Sequence, residues 1–450
     1  MIVMKFGGTS VGSAEQITTV CELVRARQDQ QPVVVVSAVG GTTDLLQQAF
    51  DAKAQTEREA VLHQILDKHE TIIYALWPDK IDNHAPCAYL AEHLASLRSR
   101  LSLTDRSRAT QDSVLASGEM LASHLVAQYI NTQGTPAHQV IASDLIITTS
   151  NHGAAEFIEV PTKKRVRSTI TPMAEAGIIP VVTGFIGADE HGQVTTLGRG
   201  GSDYSAAIIG HCLEAEEIQI WTDVDGMFTT DPRLFKDALL LERLSFREAS
   251  ELAAFGAKIL HPKTIKPAVR TGIPVRILNT FRPAAAGTVI TEEASGPGGV
   301  TAIACKQQTV MINLYASEML LGQGFLARIC TIFAGHNISV DLVSASEASV
   351  SLTLDNDDNL EAALAELSTF TTVGVQRDVG IVSLVGSNIT QSPATIRLIF
   401  SVLEELDIPV RMVSLGASDI NVSLIMPAAA VTAAVARLHT QFIPRERSTV

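Results

Sequence analysis

Apolar and polar positions alternate between two rhythms along the chain. Short apolar-rich runs at residues 1–6, Val33–Val36, Ile178–Thr183 and Glu217–Thr222 read as strands. A continuous run such as Val33-Val34-Val35-Val36 suits a parallel strand buried on both faces. Between the runs, apolar residues recur every three or four positions. This predicts a helix capped by Ser10 or Ser13 and reaching about Arg27, and another from Leu45. Residues 51–132 read as mostly helical, with further helices near Ser205–Leu213 and Phe246–Ala254. Strands feeding helices in turn predict an α/β domain with a mainly parallel central sheet flanked by helices. Ligands of such sheets lie at the C-terminal ends of the strands.

The pattern changes near residue 284. Ala284-Ala285-Ala286-Gly287 and Ala294-Ser295-Gly296-Pro297-Gly298-Gly299 are small and turn-prone, and read as a linker. An internal repeat follows. Ile338-Ser339-Val340-Asp341 recurs 70 residues later as Ile408-Pro409-Val410-Arg411, and Ser351-Leu352 recurs as Ser423-Leu424 after a two-residue insertion. Each copy runs strand, helix, strand, strand, then a helix at Asn359–Leu367 or Ala428–His439. That is an α+β unit of the ferredoxin-like kind, present twice.

Composition narrows the function. A chain of 450 residues, 46% apolar and 18% charged, is globular and long enough for two or three domains. Its 34 basic and 48 acidic residues give a net charge of −14, which argues against nucleic acid as a partner. The five cysteines are odd in number and form no CxxC pair, so they read as buried thiols rather than a disulfide or zinc framework. No apolar run reaches the ~18 residues of a membrane helix. The N-terminal stretch turns to glycine where a leader would need apolar residues. A cytoplasmic protein with no membrane partner is expected.

Several segments carry candidate chemistry. Lys5-Phe6-Gly7-Gly8-Thr9-Ser10 ends a strand on two glycines and opens a helix, so backbone amides and a lysine can meet a phosphate. A glycine turn beside a solvent lysine fits this segment equally well, and the chain has no GxxxxGK[ST] loop. Gly198-Arg199-Gly200-Gly201-Ser202-Asp203 is costly in chain entropy, which favours a functional loop over a surface turn. Its arginine suits a carboxylate or phosphate, and its aspartate a lysine or magnesium. Trp221-Thr222-Asp223-Val224-Asp225-Gly226 runs on to Thr230-Asp231-Pro232-Arg233, with Asp225-Gly226 reading as a turn. In Phe255-Gly256-Ala257-Lys258-Ile259-Leu260-His261-Pro262, Lys258 alone reads as a solvated lysine and His261 as structural. Glu119, within Ser117-Gly118-Glu119, reads by default as an exposed helical acid.

Taken together, these segments resemble the amino acid kinase family, and within it the aspartokinases. KFGGTSV at 5–11, GRGGSD at 198–203, WTDVDG at 221–226, TTDPR at 229–233 and FGAKILHP at 255–262 occur in that family's order. The resemblance implies an amino-acid-kinase fold over 1–290, then two ACT domains over 300–380 and 381–450. It implies transfer of the γ-phosphoryl group of ATP, with Mg2+, to the β-carboxylate of L-aspartate. Lys5, Asp203 and Lys258 would be catalytic. Thr43, Glu119, Arg199 and Ser202 would bind aspartate. Lys5, Gly7, Gly8, Ser10, Thr222, Asp223, Phe228, Arg233 and Lys258 would bind the nucleotide. No protein ligand of the metal is assigned. On this reading Lys5→Ala removes turnover with little effect on folding.

For the repeat, the resemblance implies inhibition by L-lysine. Met319, Phe325, Leu326, Ser339, Val340, Asp341, Ser346 and Glu347 match the effector positions of lysine-sensitive relatives. Gly322 departs from the pattern where such relatives can carry a hydroxyl residue, and Pro409 and Arg411 leave the second copy without matching chemistry. Paired ACT domains imply a homodimer or homotetramer. Two rivals remain: a kinase acting on glutamate or acetylglutamate, and a non-catalytic amino-acid sensor. The helical insert at 51–132 and the repeat favour aspartate over the first. The intact Lys5, Arg199, Asp203 and Lys258 oppose the second. No second enzyme segment follows residue 450, so the chain is expected to act alone.

Overall fold

The computed structural model describes residues 1–79, 84–103, 105–255, 264–293, 298–315, 324–354, 357–415 and 418–443. They form two compact units. The first gathers the described residues within 1–227, 241–246 and 259–294; the second gathers those within 228–240, 247–258 and 295–450.

The first unit is built on β1 (Ile2–Phe6), β2 (Pro32–Val36), β3 (Ala137–Val140), β4 (Ile179–Thr183), β5 (Ile186–Ala188), β6 (Val194–Thr196), β7 (Glu217–Thr222), β8 (Arg243–Ser245), β9 (Val275–Asn279) and β10 (Thr288–Thr291). Eight of these make one sheet in the order β3-β4-β2-β1-β7-β9-β10-β8, while β5 and β6 pair as a separate hairpin. The sheet is parallel except where β10 runs antiparallel to β9. Every residue of β1, β2 and β4 is buried, as expected for strands covered on both faces. Successive side chains of β1 point to opposite faces. Met4 and Phe6 enter the main core, where Phe6 stacks on Trp221 with ring centroids 5.9 Å apart. Lys5 therefore turns to the other face, between Val35 and Ile220 of the flanking strands.

The helical stretch after β2 is made of Thr42–Asp51, Gln55–Leu76, His84–Ser102, Arg108–Leu115 and Ser117–Thr132. The expected linker is corrected in part. Gly287 (φ 73°) turns the chain so tightly that a β-carbon there would stand 2.3 Å from the Ile277 carbonyl oxygen. The chain then returns as β10, so residues 288–291 belong to the sheet.

The second unit holds β11 (Gly299–Tyr315), β12 (Val340–Ala345), β13 (Ser349–Leu354), β14 (Thr372–Ser387), β15 (Met412–Ser414) and β16 (Asn421–Pro427). They form one antiparallel sheet in the order β12-β13-β11-β14-β16-β15. Both long strands serve both repeats. Met311–Tyr315 of β11 pairs with Thr372–Gln376 of β14 and completes the first copy with β12 and β13. Gly299–Lys306 pairs with Ile381–Ser387 and supplies the second copy with its last strand. The first copy is thus inserted within the second, where the sequence reads as two copies in series. A register shift between Lys306 and Thr309 marks the change of copy, as bulges allow. Each copy has its own core, one around Ile312, Phe333 and Leu352, the other around Val382, Ile399 and Leu424.

Candidate active site

The first unit contains a cavity of about 680 Å³ at the C-terminal ends of its strands, lined by Lys5, Thr43, Glu119, Arg199, Ser202 and Asp203 among others. The structure thus brings together six residues that the sequence picks out from four separate segments.

Lys5 is nearly buried, and its Nζ lies 2.6 Å from a carboxylate oxygen of Asp203. Asp203 sits in the first turn of the helix Gly201–Leu213, which packs on the face of β1 opposite the main core. Glycines shape its approach. Gly198 and Gly200 adopt φ of 80° and 70°, and a β-carbon on Gly201 would overlap the Phe185 ring at 2.5 Å. Of the two partners open to Asp203, lysine or magnesium, the fold supplies the lysine. The pair also bears on the expected mildness of Lys5→Ala. Removing Lys5 leaves a buried carboxylate unpaired, at a cost of about 3–5 kcal/mol.

Glu119 is not the exposed helical acid that its local sequence suggests. It is 3% exposed, in the first turn of Ser117–Thr132. Gly118 lets that helix approach, since a β-carbon there would stand 2.8 Å from the Ala38 β-carbon. The Ala38 amide donates to Glu119 Oε1 at 3.2 Å, while Oε2 is buried with no hydrogen-bond partner among the described residues. Burial pushes the Glu119 carboxyl up to about 8. An ammonium group arriving at Oε2 would restore the charge-paired state. Thr43 follows Gly41 (φ 79°) in the first turn of Thr42–Asp51.

Gly7, Gly8 and Ser10 form the turn behind Lys5 rather than the cavity wall. The Gly7 amide donates to the Trp221 carbonyl at 3.2 Å, and the Gly40 amide donates to the Gly8 carbonyl at 3.0 Å. The first bond ties the loop after β1 to β7, and the second ties it to the loop after β2. A β-carbon on Gly8 would stand 2.8 Å from the Ala38 carbonyl oxygen, so this contact needs glycine. Ser13, not Ser10, caps the helix Ala14–Arg25. The Ser10 hydroxyl is buried 2.7 Å from that of Thr280, so it is spent inside the fold.

Thr222 and Asp223 lie at the end of β7, where the threonine hydroxyl donates to the Asp223 carboxylate at 3.1 Å. Asp225 accepts from Asn279 and pairs with Arg282, which gives it the structural role expected of that turn. Phe228 and Arg233 fall in the second unit. There Arg233 is paired with Asp231 at 2.7 Å, and the Thr229 hydroxyl lies 2.8 Å from His439 Nε2. Lys258, His261, Met319 and Gly322 lie outside the described residues.

The sequence reading missed part of the cavity wall. Arg108, Gln111, Asp112 and Leu115 line it from one face of the helix Arg108–Leu115. Their spacing of three, four and seven is the one available sign. Asp112 is buried and accepts from four donors: the Thr196 hydroxyl at 2.6 Å, the Thr196 amide at 3.0 Å, the Gly153 amide at 3.1 Å and His152 Nδ1 at 2.9 Å. It clamps the turn at Gly153 to β6, the strand that leads into Arg199.

On the first repeat, Phe325 packs edge-on against Phe370 at 5.8 Å, while Leu326, Ser339, Ser346 and Glu347 are exposed. Val340 opens β12, half-buried. Asp341 is paired with Lys306 at 2.8 Å. A cation of the chain itself thus faces the acid that the resemblance assigns to a ligand ammonium.

The comparisons agree with this architecture. Residues 1–279 match the amino acid kinase family, and residues 382–442 match an ACT domain. Lysine-sensitive aspartokinase 3 of Escherichia coli is 33% identical over 98% of this chain and 98% of its own length. Two crystal structures of E. coli aspartokinase III superpose on the chain. The complex with lysine and aspartate, called the T-state, has a TM-score of 0.86 at 32% identity and covers 99% of this chain and 100% of the other. The complex with aspartate and ADP, called the R-state, has a TM-score of 0.85 at 33% identity with the same coverage. The chain belongs to the amino acid kinase family, and within it to the aspartokinases.

Proposed function

We propose that the cavity holds L-aspartate with its β-carboxylate facing the γ-phosphate of ATP, and that the chain makes 4-phospho-L-aspartate. The observation that carries this reading is the unpartnered Oε2 of Glu119, a buried acid that lines the same cavity as Arg199 and the Lys5–Asp203 pair. An amino acid offers an ammonium to Glu119 and an α-carboxylate to Arg199. Thr43 and Ser202 add hydroxyl groups beside them.

The β-carboxylate is already ionised, so the step needs no strong base. Its oxygen forms a bond to phosphorus as the bond to the ADP oxygen breaks, and ADP leaves with that electron pair. Two anions must approach, so charge neutralisation and alignment supply the rate. Lys5 meets charge on the transferred group, and Asp203 fixes its ammonium in place. Lys258 is proposed as a second cation. Gly7 and Gly8 shape the loop under the phosphates, Ser10 locks it to Thr280, and Thr222, Asp223, Phe228 and Arg233 are assigned to the nucleotide. Mg2+ arriving with ATP would neutralise charge on its phosphates.

The first repeat is assigned to L-lysine, through Met319, Phe325, Leu326, Ser339, Val340, Asp341, Ser346 and Glu347. Lysine then favours an arrangement in which the cavity is misaligned. Assembly as a homodimer or homotetramer through the repeats, and a cytoplasmic location, complete the reading. Among the described residues no helix is long and apolar enough to cross a membrane.

The test is phosphorylation of L-aspartate by ATP and Mg2+, trapped as the hydroxamate, with and without millimolar L-lysine. Turnover suppressed by lysine is the expected result. Turnover indifferent to lysine would remove the effector assignment, and no turnover would remove the kinase reading.

A further inference from the structure

A charge inventory of the cavity leaves one cation without a role. Three acids and three bases line it. Lys5 and Asp203 neutralise each other. Asp112 is consumed by its four donors. What remains is Glu119, Arg199 and Arg108. Neither guanidinium has a hydrogen-bond or ion-pair partner among the described residues. The set of one acid and two guanidiniums complements a ligand with one ammonium and more than one unit of negative charge.

Geometry places the Arg108 guanidinium beside the backbone that leads into Arg199. Arg108 Nη1 stands 3.8 Å from where a β-carbon on Gly153 would be. A β-carbon on Gly198 would stand 3.0 Å from the Gly153 carbonyl oxygen. Gly153 (φ 86°) and Gly198 (φ 80°) therefore cross each other closely, with Arg108 over the first and Arg199 following the second. Asp112, one helical turn after Arg108, holds the Gly153 amide and β6 together. The side chain of Arg108 thus belongs to the same braced corner as Arg199. Lys5 and Asp203 mark the phosphoryl-transfer side of the cavity.

We infer that Arg108 is a second guanidinium for the substrate α-carboxylate, gripping it together with Arg199. This rests on the aspartate reading of the cavity. Arg108 acts as a specificity residue: it rewards an α-carboxylate and leaves the β-carboxylate free to attack. A carboxylate offers two oxygens with several acceptor directions, so two guanidiniums can share it.

The experiment compares the wild type with Arg108→Ala and Arg108→Lys in the full chain. Steady-state KM and kcat are measured for L-aspartate and for ATP. The Ki of L-aspartic acid α-amide, whose α-carboxylate is replaced by a neutral amide, is measured against aspartate. The expected result for Arg108→Ala is a rise of about 10- to 100-fold in KM for aspartate, the range for losing a charged hydrogen bond. KM for ATP and kcat should stay within about twofold, and Arg108→Lys should recover part of the loss. The Ki of the α-amide should stay unchanged, because the amide offers Arg108 no charge. An unchanged KM for aspartate overturns the inference. So does an equal weakening of aspartate and the α-amide, which would mark Arg108 as a structural support. Failure of the wild type to phosphorylate aspartate would overturn the cavity reading itself, and so is distinct from either.

Discussion

The cavity and the shelf assigned to the effector hold their charges in opposite ways. In the cavity, Lys5, Asp203, Glu119 and Asp112 are buried or nearly so, and Lys5, Asp203 and Asp112 meet partners from distant segments. On the first repeat, Leu326, Ser339, Ser346 and Glu347 are exposed, and Ser346 bonds Ser349 only three residues away. Buried charges carry a fixed energetic demand that a fitting ligand satisfies, so the catalytic geometry is set before substrate arrives. Exposed side chains must be ordered by the ligand itself, which costs affinity for each one held. On the proposed assignment, catalysis and control thus sit at opposite ends of preorganisation. Substitutions in the cavity should move turnover and stability together, and those on the shelf should move inhibition alone.

The largest separation is expected at Lys5. Lys5→Ala should lower kcat by about 10²- to 10³-fold, the loss found when one stabilising donor of a transition state is removed. It should also destabilise the fold by about 3–5 kcal/mol, because Asp203 stays buried without its partner. The double variant Lys5→Ala/Asp203→Ala should recover most of that stability in urea denaturation and none of the turnover. A single variant as stable as the wild type would mean that the pair is not set in advance.

Glu119 sharpens the same point through pH. Its carboxyl is raised from 4.5 to about 8 in the fold, so the stability it permits is full below about 4.5 and is lost as pH rises toward 8. Glu119→Gln should therefore be flat over that window, and its melting temperature should gain on the wild type as pH rises. Aspartate, by pairing its ammonium with Glu119, should close the gap. At pH 7 aspartate binding should release close to one proton in the wild type and none in Glu119→Gln, as read by calorimetry in buffers of different ionisation enthalpy. No proton release would separate Glu119 from the ammonium.

These two residues also show what was legible in the sequence. Lys5 lies in β1 just before Gly7-Gly8, and Asp203 opens a helix just after Gly198 and Gly200, and the entropy cost of those glycines marks function. Glu119 was a candidate for an ammonium group set against a default of exposure, since its burial depends on Gly118 admitting Ala38 from a loop 81 residues away. Arg108 and Asp112 carried no sign beyond their helical spacing. They are ordinary helical polar residues, and Asp112 finds its partners 40 to 84 residues along the chain. The repeat was visible as a pattern of strands and helices. Its interleaving was not, because a strand's own sequence does not say which copy's edge it completes.

Asp112 should give a smaller effect. Asp112→Asn keeps the shape but turns an amide donor toward the donors of Thr196 and Gly153. KM for aspartate should rise by about tenfold, in line with leaving a buried donor unsatisfied, with inhibition by lysine unchanged. An altered inhibition curve at equal KM would tie this clamp to control rather than to the cavity.

The smallest and most discriminating test lies at Lys306. Its ammonium pairs with Asp341, the acid assigned to the effector. Both side chains are under one-fifth exposed, so the pair is only partly screened. If free lysine brings its ammonium to Asp341, it competes with Lys306. Lys306→Met keeps the apolar stem and removes the competitor. The half-inhibiting concentration of lysine should then fall by about 3- to 10-fold, the gain expected from freeing one charged hydrogen-bond acceptor. Uninhibited kcat should not change, and Asp341→Asn should cancel the gain. A rise in the half-inhibiting concentration would mean that Lys306 positions Asp341 for the effector. The shelf would then be preorganised like the cavity, and the contrast between catalysis and control would fail at its most buried acid.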